Sequence, residues 1–352
     1  MLLPEFKRIL LIRWGKIGDV LFTTPVFRAI RNKYPHSYLA VITDPLICSE
    51  IISGNPDIDE IFVFDLKRNK NFKKLKEQIE FIKNLRAKKF DLVIDLYHGG
   101  RAPFLAYLCG AKYRLGADDS WKKMFFNILY TPSIAIKHCI ELELDKIYPL
   151  QIKDKLTKDM IMCVSDEDRR FINKMFDIKP NDLVIGINPG AECPSKRWKV
   201  EGFAEVGDAL VERYNAKVII VQNLGQEKTL AHQIKNLMKN PANIASELTL
   251  KQLAALTEAC NIFISGDTGP LHIAVAMGTS TVSLFTSTIP ELASPISGEH
   301  RVIYKGICCD NCLKENCKDL RCVEAISSDD VLREVDSLLQ HQDNAPDRMV
   351  LR

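Results

Sequence analysis

The sequence has no apolar run of the roughly 20 residues needed to cross a bilayer. Its opening stretch, MLLPEFKRILLIRWGK, holds only a short apolar run and no small-residue cleavage site. It reads as a first β-strand rather than an export signal, so the expected location is the cytoplasm. A net excess of either charge is also nearly absent. The formal net charge is +3 on 352 residues, too small to imply a nucleic-acid partner. The first strand-to-helix turn, RWGKIGDV, lacks the G-x-G-x-x-G spacing, so the dinucleotide fingerprint fails there.

Cysteine, in contrast, is plentiful. Of 11, six are scattered (Cys48, Cys109, Cys139, Cys163, Cys193, Cys260) and five lie between Cys308 and Cys322. An odd total without an export signal argues against a disulfide framework. The cluster Cys308, Cys309, Cys312, Cys317, Cys322 contains a C-x₂-C pair, open to a structural soft-metal site, to free thiols or to oxidation-formed bridges. Its spacing is not that of a standard zinc finger.

Hydrophobic residues make up 46% and charged residues 26%, an ordinary globular composition, and the length suggests two domains. Apolar, β-rich runs at 8–14, 38–43, 60–65 and 91–97 alternate with helical stretches at 19–34 and 71–89. Runs at 182–188, 216–222, 261–265 and 280–285 alternate with helical stretches at 200–214, 226–239, 249–259 and 269–277. This predicts α/β architecture: two Rossmann-like domains with parallel sheets facing a central cleft. The expected domains are 1–165 and 166–340, with a frayed tail at 341–352. The polar segment 155–181 should contain the connection. The stretch 67–89 holds ten Lys/Arg against two Glu, with Phe72, Leu75, Ile79, Ile82 and Leu85 at helical spacing. It is either a solvated helix face or a surface for anionic partners.

In doubly wound sheets, ligands bind beyond the C-terminal strand ends. Three strand-to-helix corners there carry chemistry. In RWGKIGDVLFTTP the helix should begin at Gly18-Asp19, with Asp19 as an N-cap or as a general base. In NPGAECPSKRW, Lys196 and Arg197 are either a phosphate-holding pair or a solvated pair beside a packing Trp198. In SGDTGPLH, Thr268 and Gly269 open a helix whose free N–H groups suit a diphosphate, and Pro270 fits its first turn. Asp267 would repel phosphate, so it should face sugar hydroxyls or cap the helix, while His272 can donate to a phosphate oxygen.

The pieces ILLIRWGKIGDVLFTTPVFRAI, FDLVIDLYHGGRAPFLAYLCGAKYRLG, NPGAECPSKRW and GDTGPLHIAVAMG, in this order, resemble the ADP-heptose:lipopolysaccharide heptosyltransferases. These are inverting glycosyltransferases of glycosyltransferase family 9 with the GT-B fold. PGAE…KRW resembles the heptosyltransferase II branch, with a loop about one residue shorter. The resemblance implies Asp19 as the base for the acceptor hydroxyl, Gly18 close to the sugar or diphosphate, and Lys196 as the phosphate-neutralising cation. It implies that Asp267 holds heptose hydroxyls and that Thr268 and Gly269 bind the diphosphate, with His272 nearby. Glu227 matches the acidic position that grips the ribose. The implied partners are an ADP-heptose donor and an acidic lipid-linked core oligosaccharide, with contact at the cytoplasmic face of the inner membrane. No cofactor and no metal are expected, since no D-x-D pair of the kind that holds Mg²⁺ beside a nucleotide diphosphate stands out. The competing expectations are transfer of a different sugar, a nucleotide-sugar epimerase, or a binding protein on the same scaffold.

Overall fold

The computed structural model describes residues 3–44, 47–64, 72–97, 99–119, 121–153, 156–222, 229–307, 317 and 319–343. The chain forms two compact units, Met1–Cys163 and Val164–Arg352. The tail beyond residue 343 and Glu227 lie outside the described residues.

The first unit is built on a parallel sheet. Its strands are β1 (Arg8–Ile12), β2 (Tyr38–Thr43), β3 (Glu60–Val63), β4 (Leu92–Asp95), β5 (Tyr113–Ala117) and β6 (Ile128–Tyr130), in the order β3-β2-β1-β4-β5-β6. Ile9, Leu10, Leu11 and Ile12 are all fully buried. A strand covered on both faces reads as a continuous apolar run rather than an alternation, which is why RILLI lacks a polar face.

The second unit repeats the plan with β7 (Val184–Asn188), β8 (Lys217–Val221), β9 (Asn243–Ala245), β10 (Ile262–Gly266), β11 (Ser280–Phe285) and β12 (His300–Tyr304). The order β12-β11-β10-β7-β8-β9, taken from its other edge, matches that of the first sheet. Ile185, Ile187, Ile262 and Ile264 pack against Trp198, Phe203 and Leu210 on one side of this sheet's core. In each unit the winding direction reverses between two central neighbours, β1 and β4 or β7 and β10. The C-terminal ends of those strands are therefore where a doubly wound sheet offers a ligand crevice.

Three differences from the sequence expectations have local causes. The stretch 19–34 is two helices, Ile17–Leu21 and Thr24–Lys33. Pro25 has no N–H to give back to the Leu21 carbonyl, and the Thr24 hydroxyl donates to it instead at 2.8 Å. Strands β5, β6, β9 and β12 were not anticipated. They are short or only partly buried, and β6, β9 and β12 end or edge a sheet, where the apolar signature is weakest. The polar segment 155–181 is not all connection. Helix Asp166–Met175 is fixed by a capping box in which Ser165 Oγ accepts from Asp168 N and Asp168 Oδ2 accepts from Ser165 N, both at 3.1 Å. Arg169 then ties that helix to Glu258 at 2.6 Å.

In the basic stretch, residues 67–71 lie outside the described residues. The helix Phe72–Ala87 buries Leu85, half-buries Ile82 and leaves Ile79 exposed. No helix among the described residues is long and apolar enough to cross a membrane.

Candidate active site

The first corner follows β1. Its helix starts at Ile17, so Asp19 is the third helical residue and not the cap that the sequence suggested. Asp19 Oδ2 accepts the Lys16 N–H at 2.9 Å, the reciprocal half of a capping box, and the side chain is exposed. Gly18 sits one position earlier and is half-buried. The main chain under Asp19 is held from behind. Arg13 Nη2 at 2.5 Å and Thr23 Oγ1 at 2.8 Å both donate to the Asp19 carbonyl. Arg13 is itself buried, donating from Nη1 to the Leu96 carbonyl at 2.8 Å and facing Glu143 at 3.4 Å. Lys146 Nζ also donates to the Leu96 carbonyl and to both Glu143 oxygens, each at 2.8 Å. Burial pushes the Lys146 amine below its usual range, and the Glu143 carboxylate opposes that shift. Gly15, at φ +149°, backs onto Asp19: a Cβ there would lie 2.8 Å from the Asp19 Cβ and 2.9 Å from Oδ2.

The second and third corners meet in the other unit. After β7, Pro189-Gly190 turns the chain into a 3₁₀ turn, Pro194–Lys196. Trp198 is a core residue whose Nε1 donates to the Ile326 carbonyl at 3.0 Å. Arg197 turns back and donates to the Ala191 carbonyl at 2.8 Å. Lys196 instead reaches the third corner, where its Nζ lies 2.6 Å from Asp267 Oδ2. Gly266 permits this approach, because a Cβ on it would meet the Lys196 carbonyl oxygen at 3.0 Å.

Thr268 holds the N-cap position of helix Gly269–Ala276, with Pro270 in its first turn. Asp267 therefore does not cap. Its carboxylate accepts from Lys196 and from Thr288 Oγ1 at 2.9 Å, and the buried His272 Nε2 faces it at 3.7 Å. Burial by itself would raise the Asp267 pKa, but the His272 imidazole and the Lys196 ammonium outweigh it and hold the carboxyl well below the usual carboxylate range. The result is a fixed anion, a partly exposed cation and a helix N-terminus side by side.

Several supporting residues carried no obvious sequence signal. Asn188 ends β7 fully buried, opposite Ser265 in the sheet register. Its Nδ2 donates to Ser265 Oγ at 2.9 Å, Thr268 Oγ1 at 3.0 Å and the Gly190 carbonyl at 3.3 Å. The loop after β11 adds a fourth corner. Thr286 Oγ1 donates to the Ser195 carbonyl at 2.7 Å, Ser195 Oγ donates to Ser287 Oγ at 3.2 Å, and Thr288 reaches Asp267. A signal did exist: Arg13, Asn188 and Ser265 are polar residues in or just past apolar strands that are buried on both faces.

Literal D-x-D triplets occur at Asp57–Asp59 and Asp166–Asp168, but their side chains have structural partners. Asp57 takes Arg28, Asp59 takes Arg31, and Asp168 closes the capping box. Of the cysteine cluster, Cys308, Cys309 and Cys312 lie outside the described residues. Cys317 Sγ donates to the Asp319 carbonyl at 3.0 Å, and Cys322 packs against the second core. Among the described residues no group of His, Cys, Asp and Glu could hold a metal ion.

The family model for glycosyltransferase family 9 (heptosyltransferase) matches residues 78–322. The chain belongs to that family. Lipopolysaccharide heptosyltransferase 3 of Escherichia coli (strain K12) is 28% identical over 282 residues, covering 77% of this chain and 80% of the relative. Lipopolysaccharide heptosyltransferase 2 of the same strain is 22% identical over 313 residues, covering 84% of this chain and 87% of the relative. The crystal structure of a family 9 glycosyl transferase from Veillonella parvula aligns with TM-score 0.84 at 24% identity, over 95% of this chain and 97% of that one. The E. coli ADP-heptose lipopolysaccharide heptosyltransferase II aligns with TM-score 0.77 at 21% identity, over 96% of this chain and 99% of that one. These structural likenesses establish the α/β fold of the GT-B type. The enzyme is thus a glycosyltransferase with the two doubly wound sheets described above.

Proposed function

We propose that this glycosyltransferase moves heptose from ADP-L-glycero-β-D-manno-heptose to the inner core of lipopolysaccharide, with inversion at the anomeric carbon. The observation that carries the reading is the meeting of Lys196, Asp267 and the helix N-terminus at Thr268 beside the switch point between β7 and β10.

The roles follow from charge. Asp19 takes the proton from the acceptor hydroxyl. The hydroxyl oxygen bonds to the anomeric carbon as the bond from that carbon to the diphosphate oxygen breaks, and ADP leaves with the electron pair. Negative charge grows on the departing diphosphate, where Lys196 and the backbone N–H groups of Thr268 and Gly269 stabilise it. Asp267 stays ionised and, too close to the phosphates to serve them directly, accepts from heptose hydroxyls, with His272 beside it. Gly18 leaves room for the sugar to approach, and Glu227 grips the ribose. The acceptor is an acidic, lipid-linked core oligosaccharide met at the cytoplasmic face of the inner membrane.

The test is ADP release from ADP-heptose, offered Kdo₂–lipid A, a core bearing one heptose, or a core bearing two. Acceptor-dependent release that collapses in Asp19→Ala supports the reading, and the preferred acceptor says which heptose is added. Donor hydrolysis or epimerisation without any acceptor requirement would overturn it.

A further inference from the structure

The first unit carries a set of aromatic and apolar side chains that its core does not use. Helix Ala102–Leu108 buries Ala102, Leu105 and Ala106, and turns Phe104, Tyr107 and Leu108 outward. The 3₁₀ turn Trp121–Phe125 lies against it and has no buried residue. Trp121 is 59% exposed, Tyr107 56% and Met124 73%. The surface is continuous: Phe104 packs at a tilt against Phe125 with ring centroids 4.7 Å apart, and Trp121 touches both, at 5.8 and 6.0 Å. Tyr107 meets Phe125 at 5.8 Å, and the Arg114 guanidinium lies 5.6 Å over the Tyr107 ring.

The charge around it is mainly positive. Between 101 and 123 the chain carries Arg101, Lys112, Arg114, Lys122 and Lys123 against only Asp118 and Asp119. Asp118 is occupied by Lys123 at 3.2 Å. A contiguous exposed apolar patch with a polar rim marks an interaction site. Tryptophan and tyrosine flanked by lysine and arginine are the composition that settles at lipid headgroup level, with rings in the interface and cations on anionic lipid.

We propose that the surface formed by Phe104, Tyr107, Trp121 and Met124, with Lys122 and Lys123, docks this unit on an anionic bilayer. A second copy of the chain fits poorly, because a two-fold contact would set the same excess of cations over carboxylates against itself. The use of such docking rests on the reading above that the acceptor is lipid-linked, but the docking itself needs neither donor nor acceptor.

The sequence supplies its own probe. Of the three tryptophans, Trp14 and Trp198 are each 4% exposed, so a change of environment on binding reports Trp121. The full chain is mixed with vesicles of phosphatidylethanolamine and phosphatidylglycerol. A blue shift of the emission is expected, with quenching by acyl-brominated lipid and a much weaker response to phosphatidylcholine alone. Met124→Asp and the double variant Lys122→Glu/Lys123→Glu should keep the wild-type Tm and lose vesicle affinity by about tenfold or more. Their transfer to a water-soluble, delipidated acceptor should be unchanged, which separates failure of docking from failure of the proposed chemistry. Absence of a shift and of quenching with anionic vesicles would overturn the proposal. So would variants that bind vesicles as the wild type does, or a blue shift that grows with protein concentration in the absence of lipid.

Discussion

Lys196 Nζ lies 2.6 Å from Asp267 Oδ2, joining two corners of one sheet across 71 positions of sequence. The pair means that the ammonium proposed to meet the diphosphate is already held at the site by a carboxylate, and a donor must share it. Lys196→Met should lower kcat/KM by about 10²–10³, the usual loss for one fixed transition-state donor. Asp267 would keep Thr288 and His272, and Lys196 is partly exposed. The stability loss should therefore be about 1–3 kcal/mol, below the about 3–5 of a fully buried broken pair. Single-turnover kinetics and urea unfolding measure the two effects. A loss of stability with unchanged turnover would remove Lys196 from the chemistry.

The same carboxylate predicts a pH dependence. Its folded pKa is depressed, so its contribution to stability is fully present above the unfolded value of about 3.9 and is lost as pH falls below that toward the folded value. Asp267→Asn should be destabilised relative to wild type at neutral pH by a margin that stays constant down to about pH 5. The margin should then shrink at lower pH. Thermal unfolding of both proteins across that range checks the sign, and a gap that widens on acidification would contradict it.

The legibility of the sequence follows the same physics. Strands buried on both faces, such as RILLI and VIGIN, announce themselves as apolar runs, and the corners after them were found because Gly, Pro and Asp break those runs. Edge strands such as Asn243–Ala245 bury little and left no signal. Asp267, Thr268 and Lys196 were legible as residue types at a corner. That Lys196 and Asp267 pair, and that Thr288 from a fourth loop completes the carboxylate, was not. Those facts depend on which strands are neighbours, and the order β11-β10-β7 is not written in any local stretch. Asp19 was legible as a residue and mistaken in position, because the helix starts two residues before it.

Gly15 should be a sharper probe of Asp19 than its lack of a side chain suggests. Any Cβ at that position clashes with the Asp19 side chain, and φ +149° is unfavourable for an L residue. Gly15→Ala should therefore displace the carboxylate from the Lys16 N–H and cut kcat by at least tenfold. The KM for the donor should move less than kcat, because apart from Gly18 the residues proposed to bind it are in the other unit. A variant with wild-type kcat would argue that Asp19 is not the base.

Asn188 should act on the donor through Thr268. Its amide nitrogen serves Ser265, Thr268 and the Gly190 carbonyl together, so it locks the Thr268 hydroxyl to the ends of β7 and β10. Among the described residues its buried Oδ1 has no hydrogen-bond partner, so the group is held for what its N–H groups do. Asn188→Ala should cost about 1–3 kcal/mol, the range for buried groups left unsatisfied. It should also raise the donor KM. The discriminating measurement is a double-mutant cycle with Thr268→Ala on donor kcat/KM. If Asn188 works by positioning Thr268, the second substitution adds little to the first, giving a coupling of about 0.5–3 kcal/mol. Additive losses would mean that Asn188 only supports the strand end, and that Thr268 finds its place without it.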